Sequence, residues 1–256
     1  MNQLHLRIEK PAFGGYGLAF DNGKAVFVEK AVPGDVLSAE IYIQKKNYAI
    51  AKIESILSPS PERVEPQCSA FNECGGCAYL CVPYETEIKY KAAVIEDSLK
   101  HIAGISIPKM DIITGERFRY RSHAGIKTDG RSCGFFRKGS NILSPFPPDG
   151  CLLLSEKLLP LVRPRRDAKE FFIAFGALGT SGGIIKEEEL GIVYEREMGN
   201  FFQANIFLRA AMLERAAAYA CLSKKDSLPT GCRSAERAQD VQKTRSFLDI
   251  GCGVGF

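Results

Sequence analysis

The feature that most constrains this chain is a crowding of thiols. Cys68, Cys74, Cys77 and Cys81 fall within one short stretch, CSAFNECGGCAYLC. A spacing of two residues lets Cys74 and Cys77 direct both thiolates at one metal centre, and the intervening Gly75-Gly76 lets backbone amides turn toward it. In a chain with no export signal, such crowding points to metal or redox use before disulfides. An all-cysteine site needs a fourth ligand. Cys81 is near in sequence, whereas Cys151 is distant and reads as a strand-to-helix junction. Zinc and iron–sulfur clusters both accept four thiolates, and inert buried thiols are a third outcome.

The residues before this stretch read as a small all-β unit. Leu4–Ile8, Leu18–Phe20, Ala25–Val28, Val36–Ile43 and Ala49–Leu57 are short strand candidates separated by GGYG, DNGK and PGD. Asp21-Asn22-Gly23 is a hairpin signal, since Asn and Gly tolerate positive φ. Five such strands suit a closed barrel, which removes exposed edges. Pro59, Pro61 and Pro66 mark a linker.

Beyond the cysteines, Tyr84, Ile88, Ala92, Ile95, Leu99 and Ile102 recur at helical spacing, and Gly104 is placed to end that helix. FRYRSHAGIK, CGFFRK, NILSPF, KEFFIAFG and LGIVYERE read as strands. Helices are expected from about Leu152 to Leu161 and from Asn205 to Leu222, with a polar linker from Ser223 to Arg245. In an extended RFRYR, Arg117, Arg119 and Arg121 share one face. Anions must answer that charge, and either an RNA backbone or carboxylates of the fold would do so. His123 reads as a hydrogen-bonded structural histidine.

The last residues, SFLDIGCGVGF, run a hydrophobic strand into glycines, the start of a βα unit. Gly251, Gly253 and Gly255 would bring backbone close to a ligand at the carboxyl end of that strand, with Asp249 just before the turn. The spacing is G-x-G-x-G and not the dinucleotide G-x-G-x-x-G. Because the sequence stops inside this motif, the chain is expected to be the front part of an enzyme. The net charge of +4 permits a polyanionic partner without establishing one. No apolar run approaches the roughly 18–20 residues that span a bilayer, so a cytoplasmic protein with no membrane association is expected.

Together these motifs resemble the iron–sulfur-containing RNA uracil-5-methyltransferases. CSAFNECGGC is similar to that family's C-x5-C-G-G-C element. GGYGLAFDNGKAVFVEKAVPGDVL resembles its TRAM barrel, GFFRKG its Gly-Phe-x-Arg-x-Gly element, FFQAN its F-x-Q-x-N segment, and LDIGCGVG motif one of class I methyltransferases. The chain departs from the family where Cys81 stands in place of a non-cysteine residue and Gly251 in place of an aromatic one.

The resemblance implies a multidomain protein. Residues 1–58 would form an OB-like TRAM β-barrel, and 59–199 an α+β central domain holding a [4Fe-4S] cluster. Residues 200–256 would begin a Rossmann-like class I methyltransferase domain, on which helix 84–102 would pack. It implies Cys68, Cys74, Cys77 and Cys151 as cluster ligands, and Gln203, Asp249, Gly251, Gly253 and Gly255 at S-adenosyl-L-methionine. The implied reaction is methylation of uridine C5 in RNA, with large-subunit ribosomal (23S) RNA as the favoured partner of a monomer. No catalytic residue is assigned, because the family's nucleophile and base come after the glycine motif. The other reading is a non-catalytic RNA-binding iron–sulfur protein. In the barrel, Tyr16 and Phe13 are candidates to stack on bases and Lys45 and Lys46 to meet phosphates, or else the aromatics fill the barrel core.

Overall fold

The computed structural model describes residues 3–174, 177–179, 183–197 and 200–221. The glycine motif with Asp249, Gly251, Gly253 and Gly255, and the polar stretch from Ser223, lie outside the described residues.

Alternation of apolar and polar side chains builds the front of the molecule. Its strands are β1 (Gln3–Arg7), β2 (Lys10–Ala12), β3 (Tyr16–Asp21), β4 (Lys24–Glu29), β5 (Val36–Gln44) and β6 (Tyr48–Ser58). Their order in the sheet is β1-β5-β6-β4-β3-β2. The two ends of that order are successive pieces of one bent strand, since β1 pairs β5 and β2 pairs β3. The sheet therefore closes on itself as a five-stranded barrel. Ile8, Val26, Val28, Leu37 and Ala51 fill its interior. Asn22 and Gly23 both take positive φ between β3 and β4, as the hairpin signal requires.

One buried acid ties off the barrel. The Asp35 carboxylate is fully buried and accepts from the amides of Val32 and Ser60 and from the Arg63 guanidinium. Arg63 also donates to the Lys30 carbonyl. Burial pushes the Asp35 carboxyl up, but these donors more than offset it and hold it below the usual carboxylate range. The linker after β6 is thereby fastened to the barrel.

The helix α1 spans Tyr84–Ala103 and stops at Gly104, whose left-handed φ of 67° closes its last turn. The centre is a five-stranded antiparallel sheet of β7 (His123–Thr128), β8 (Cys133–Phe136), β9 (Leu143–Pro145), β10 (Glu170–Ala174) and β11 (Ala177–Gly179), ordered β11-β10-β7-β8-β9. A hairpin of β12 (Ile184–Glu189) and β13 (Ile192–Glu197) follows, then α2 (Arg209–Cys221).

Two local expectations fail. Leu152–Leu161 is not an α-helix but a run of turns ending in a 3-10 turn at Leu159–Leu161. Its carbonyls at Leu152, Leu153 and Leu154 are spent on the Arg117–Arg121 segment, so they cannot close helical turns. That arginine segment is not a regular strand either, because Arg119 sits at φ 58°. The strand begins only at His123. His123 itself meets the Ser122 hydroxyl at 3.2 Å, and burial together with the nearby Arg196 pushes its imidazole down to about 4.

Candidate functional site: a four-cysteine pocket

Between the cysteine loop and the central sheet lies a narrow pocket, and Cys68, Cys74, Cys77 and Cys151 all line it. Phe71, Leu80, Phe135, Phe146 and Leu153 complete an apolar wall. The first three cysteines arrive on a compact loop in which the amides of Phe71 and Cys74 bond the carbonyls of Cys68 and Ala70. The Gly75 amide donates to the Phe136 carbonyl at 3.0 Å and so seats this loop on β8. Cys151 comes from the opposite side, directly after Gly150 at φ 80°.

Amide donors point at the sulfurs. The Gly76 N–H lies 3.3 Å from Cys74 Sγ, and the amides of Leu153 and Leu154 donate to Cys151. These donors favour thiolates, yet burial dominates. It pushes the Cys77 thiol up to about 12, aided by the neighbouring Cys151, Cys74 and Cys68, and it raises Cys74 and Cys151 as well. Without a bound cation Cys74, Cys77 and Cys151 therefore hold their protons, and metal binding must displace them.

Cys81 faces elsewhere. Its sulfur contacts the carbonyls of Lys30 and Ala78, beside Arg63, and it does not line the pocket. Cys133 is a buried part of the central sheet. Cys68, Cys74, Cys77, Cys81, Cys133 and Cys151 are free thiols. Among the described residues, no three His, Cys, Asp or Glu side chains form a group that could hold a single metal ion.

The barrel leans on the pocket's rim. A Cβ at Gly15 would stand 2.2 Å from the Ala78 Cβ, so only glycine admits this approach. Lys30 reaches from the barrel to the carbonyls of Phe71 and Cys74, the latter at 3.0 Å. Lys138 in the GFFRKG element donates to the Gly14 carbonyl and lies 3.6 Å from the centre of the Tyr16 ring. Phe13 projects outward at 72% exposure and takes no part in the barrel core. Lys45 and Lys46 are exposed at the far turn.

The residues expected at the cofactor are reached only in part. Gln203 is half-buried, and its carbonyl accepts from Arg209 Nε at 2.7 Å. Asn205 caps the turn before α2 by accepting from the Phe207 amide at 3.0 Å. Sequence reasoning missed the ion network behind this segment. Glu187 is 4% exposed and pairs with Arg196 at 2.6 Å and Arg209 at 2.7 Å, and both guanidiniums face the Phe202 ring. The signal available was the charge alternation in IIKEEE and YERE, which reads equally well as solvated surface.

Comparison with known proteins supplies the kinship. No protein-family model matches the chain. It is 34% identical over 140 residues to an uncharacterized RNA methyltransferase of Thermotoga maritima, covering 54% of this chain and 32% of that protein. It is 35% identical over 156 residues to the 23S rRNA (uracil(1939)-C(5))-methyltransferase RlmD of Shewanella sp. (strain ANA-3), covering 59% and 34%. Over the matched residues the chain is similar to RNA methyltransferases. It spans about a third of the length of the curated methyltransferases it matches. A solved methyltransferase shares its fold at a TM-score of 0.53 and 14% identity, covering 83% of this chain and 64% of its own. That protein is the Pyrococcus abyssi tRNA (uracil-54, C5)-methyltransferase in complex with S-adenosyl-L-homocysteine. No helix among the described residues is long and apolar enough to cross a membrane.

Proposed function

We propose that the protein containing this chain transfers a methyl group from S-adenosyl-L-methionine to C5 of a uridine in RNA, with 23S ribosomal RNA as its substrate. The observation that carries this is the 35% identity to 23S rRNA uracil-C5 methyltransferases. Uracil C5 is a weak nucleophile. Addition of a thiolate at C6 makes it enolate-like and able to take the methyl group from the sulfonium, after which a carboxylate removes the C5 proton and the thiolate leaves C6, restoring the ring. No described cysteine is assigned to that addition, because four line the pocket, Cys81 is turned into the loop's base and Cys133 is buried in the sheet.

The division of labour follows the three segments. The barrel of 1–58 grips RNA, with the exposed Phe13 available to bases and Lys45 and Lys46 to phosphates, while Tyr16 is already covered by Lys138. The unit of 59–199 holds a [4Fe-4S] cluster on Cys68, Cys74, Cys77 and Cys151. Residues from 200 onward, with Gln203, Asp249, Gly251, Gly253 and Gly255, contribute to the S-adenosyl-L-methionine site. Helix α1 leaves Ile95 and Ile102 exposed for that domain to cover.

The donor set fits the cluster. Four thiols line one apolar pocket, with amides aimed at two of the sulfurs. Four thiolates suit a [4Fe-4S] cluster as they suit zinc, and the resemblance in the cysteine spacing selects the cluster. When bound, the cluster would supply cross-linking between the cysteine loop and the Cys151 arm.

Two measurements test the reading. Anaerobically purified protein should carry about four iron and four sulfide per chain, and stoichiometric zinc would overturn the cluster. Protein expressed with its complete reading frame should move a labelled methyl group from S-adenosylmethionine to uridine C5 in 23S RNA. Absence of incorporation would overturn the activity.

A further inference from the structure

The arginines of Arg117-Phe-Arg-Tyr-Arg121 look from sequence like an RNA-facing strip, yet the structure turns them inward. Arg117 donates to the carbonyls of Tyr79 and Val82, each at 2.9 Å, and pairs with Glu87 at 3.1 Å. It thus holds the chain just past Cys77. Arg119 donates to the carbonyl of Cys151 at 2.8 Å and that of Leu154 at 3.3 Å. Its own amide bonds the Leu152 carbonyl at 2.9 Å. Arg121 bonds the Leu153 carbonyl through its amide at 2.9 Å, and its guanidinium lies 5.8 Å from the Phe135 ring centre in the pocket wall. From there its charge is felt at both Cys77 and Cys151.

The geometry points to a positioning role for this segment toward the cluster, an inference that rests on the cluster reading given above. Arg117 fixes the arm that follows Cys77, and Arg119 fixes the arm that begins at Cys151. Arg121 places a cation beside thiolates that are otherwise surrounded by apolar side chains. Two cysteine arms distant in sequence cannot present sulfurs to one centre until something spans them. A carbonyl that accepts from a guanidinium is held by a charge-assisted bond, roughly twice as strong as a neutral one. The four-thiolate cluster carries net negative charge into a low-dielectric pocket, where a fixed cation offsets part of the cost. Partners behind metal ligands typically alter metal affinity about 10–100-fold.

The test uses the anaerobically purified chain and follows loss of the cluster's visible absorbance on adding excess iron chelator. R119Q should release iron about ten times faster than the unaltered chain, and R119K, which keeps a donor to the two carbonyls, should recover most of the retention. R121Q should shift the cluster's reduction midpoint to a more negative value, and R121K should not. Release rates and midpoints equal to those of the loaded, unaltered chain would overturn the inference. So would an R119Q that keeps its iron while losing RNA affinity and salt dependence, since that is the signature of a phosphate contact. Failure of the parent reading is separable: the unaltered chain would then contain no iron and sulfide at all.

Discussion

The barrel and the cysteine-bearing centre are neighbours held together by different means. In the barrel, every second residue of β3 to β6 enters one aliphatic interior, and a bent first strand closes the ring. In the centre, short strands leave long stretches of irregular backbone. Guanidiniums reaching carbonyls at Tyr79, Val82, Cys151 and Leu154 tie these stretches down. Burial of aliphatic surface is non-directional and tolerates modest reshaping. A buried donor that loses its acceptor, or an acceptor that loses its donor, meets the full cost of desolvation. The barrel should therefore resist small changes that the centre cannot absorb.

The largest effect is expected where the two means meet. Asp35→Ala leaves Arg63 and two amides without their acceptor and should destabilise the fold by about 3–5 kcal/mol in urea unfolding. The carboxyl is held below its ordinary value, so its contribution is present above about pH 4. It is lost as pH falls through the lowered folded-state value. Ile8→Ala opens a cavity in the barrel and should cost about 2–4 kcal/mol. Iron per folded chain should stay unchanged, and a parallel loss of iron would erase the distinction between the two regions.

Gly15→Ala sharpens the contrast from the interface. The added methyl meets Ala78 and the residue must keep φ at 73°, so a loss of about 1–3 kcal/mol in thermal unfolding is expected. His123 tests the centre by pH. Its imidazole stays neutral in the fold down to about 4, whereas the unfolded chain takes up a proton near ~6.5. Stability should then decline as pH falls between those values and lie flat above them, and His123→Gln should remove that slope. The smallest effect belongs to Phe13→Ser. It should leave stability within about 0.5 kcal/mol while weakening RNA binding, and undiminished binding would remove Phe13 from the RNA surface.

What could be read from sequence follows the same division. The barrel's strands and the Asn22-Gly23 hairpin were legible because alternation and turn chemistry act over a few residues. Helix α1 and its Gly104 stop were legible for the same reason. Leu152–Leu161 was misread because its apolar spacing suits a helix as well as a series of turns, and only the distant Arg119 and Arg121 decide between them. The RFRYR strip was misread as a strand because a left-handed residue at Arg119 leaves no mark on the pattern. Likewise, nothing local in PPDGC distinguishes Cys151 from Cys81. Resemblance alone proposed it, and Cys151 lines the same pocket as the other three while Cys81 does not.

The short segment between Arg117 and Ser122 has a second edge. Opposite the Cys151 arm, the Tyr120 carbonyl accepts from the Ile206 amide at 3.0 Å and the Ser122 amide donates to the Ala204 carbonyl at 2.9 Å. The ribbon that spans the cysteine arms is thus also the backbone partner of the stretch carrying Gln203. Two ligands that each order a shared ribbon are thermodynamically linked, and the linkage is reciprocal. On the proposed assignments, in which the thiols hold a cluster and Gln203 meets the methyl donor, loading either site would lower the entropic cost of ordering the other.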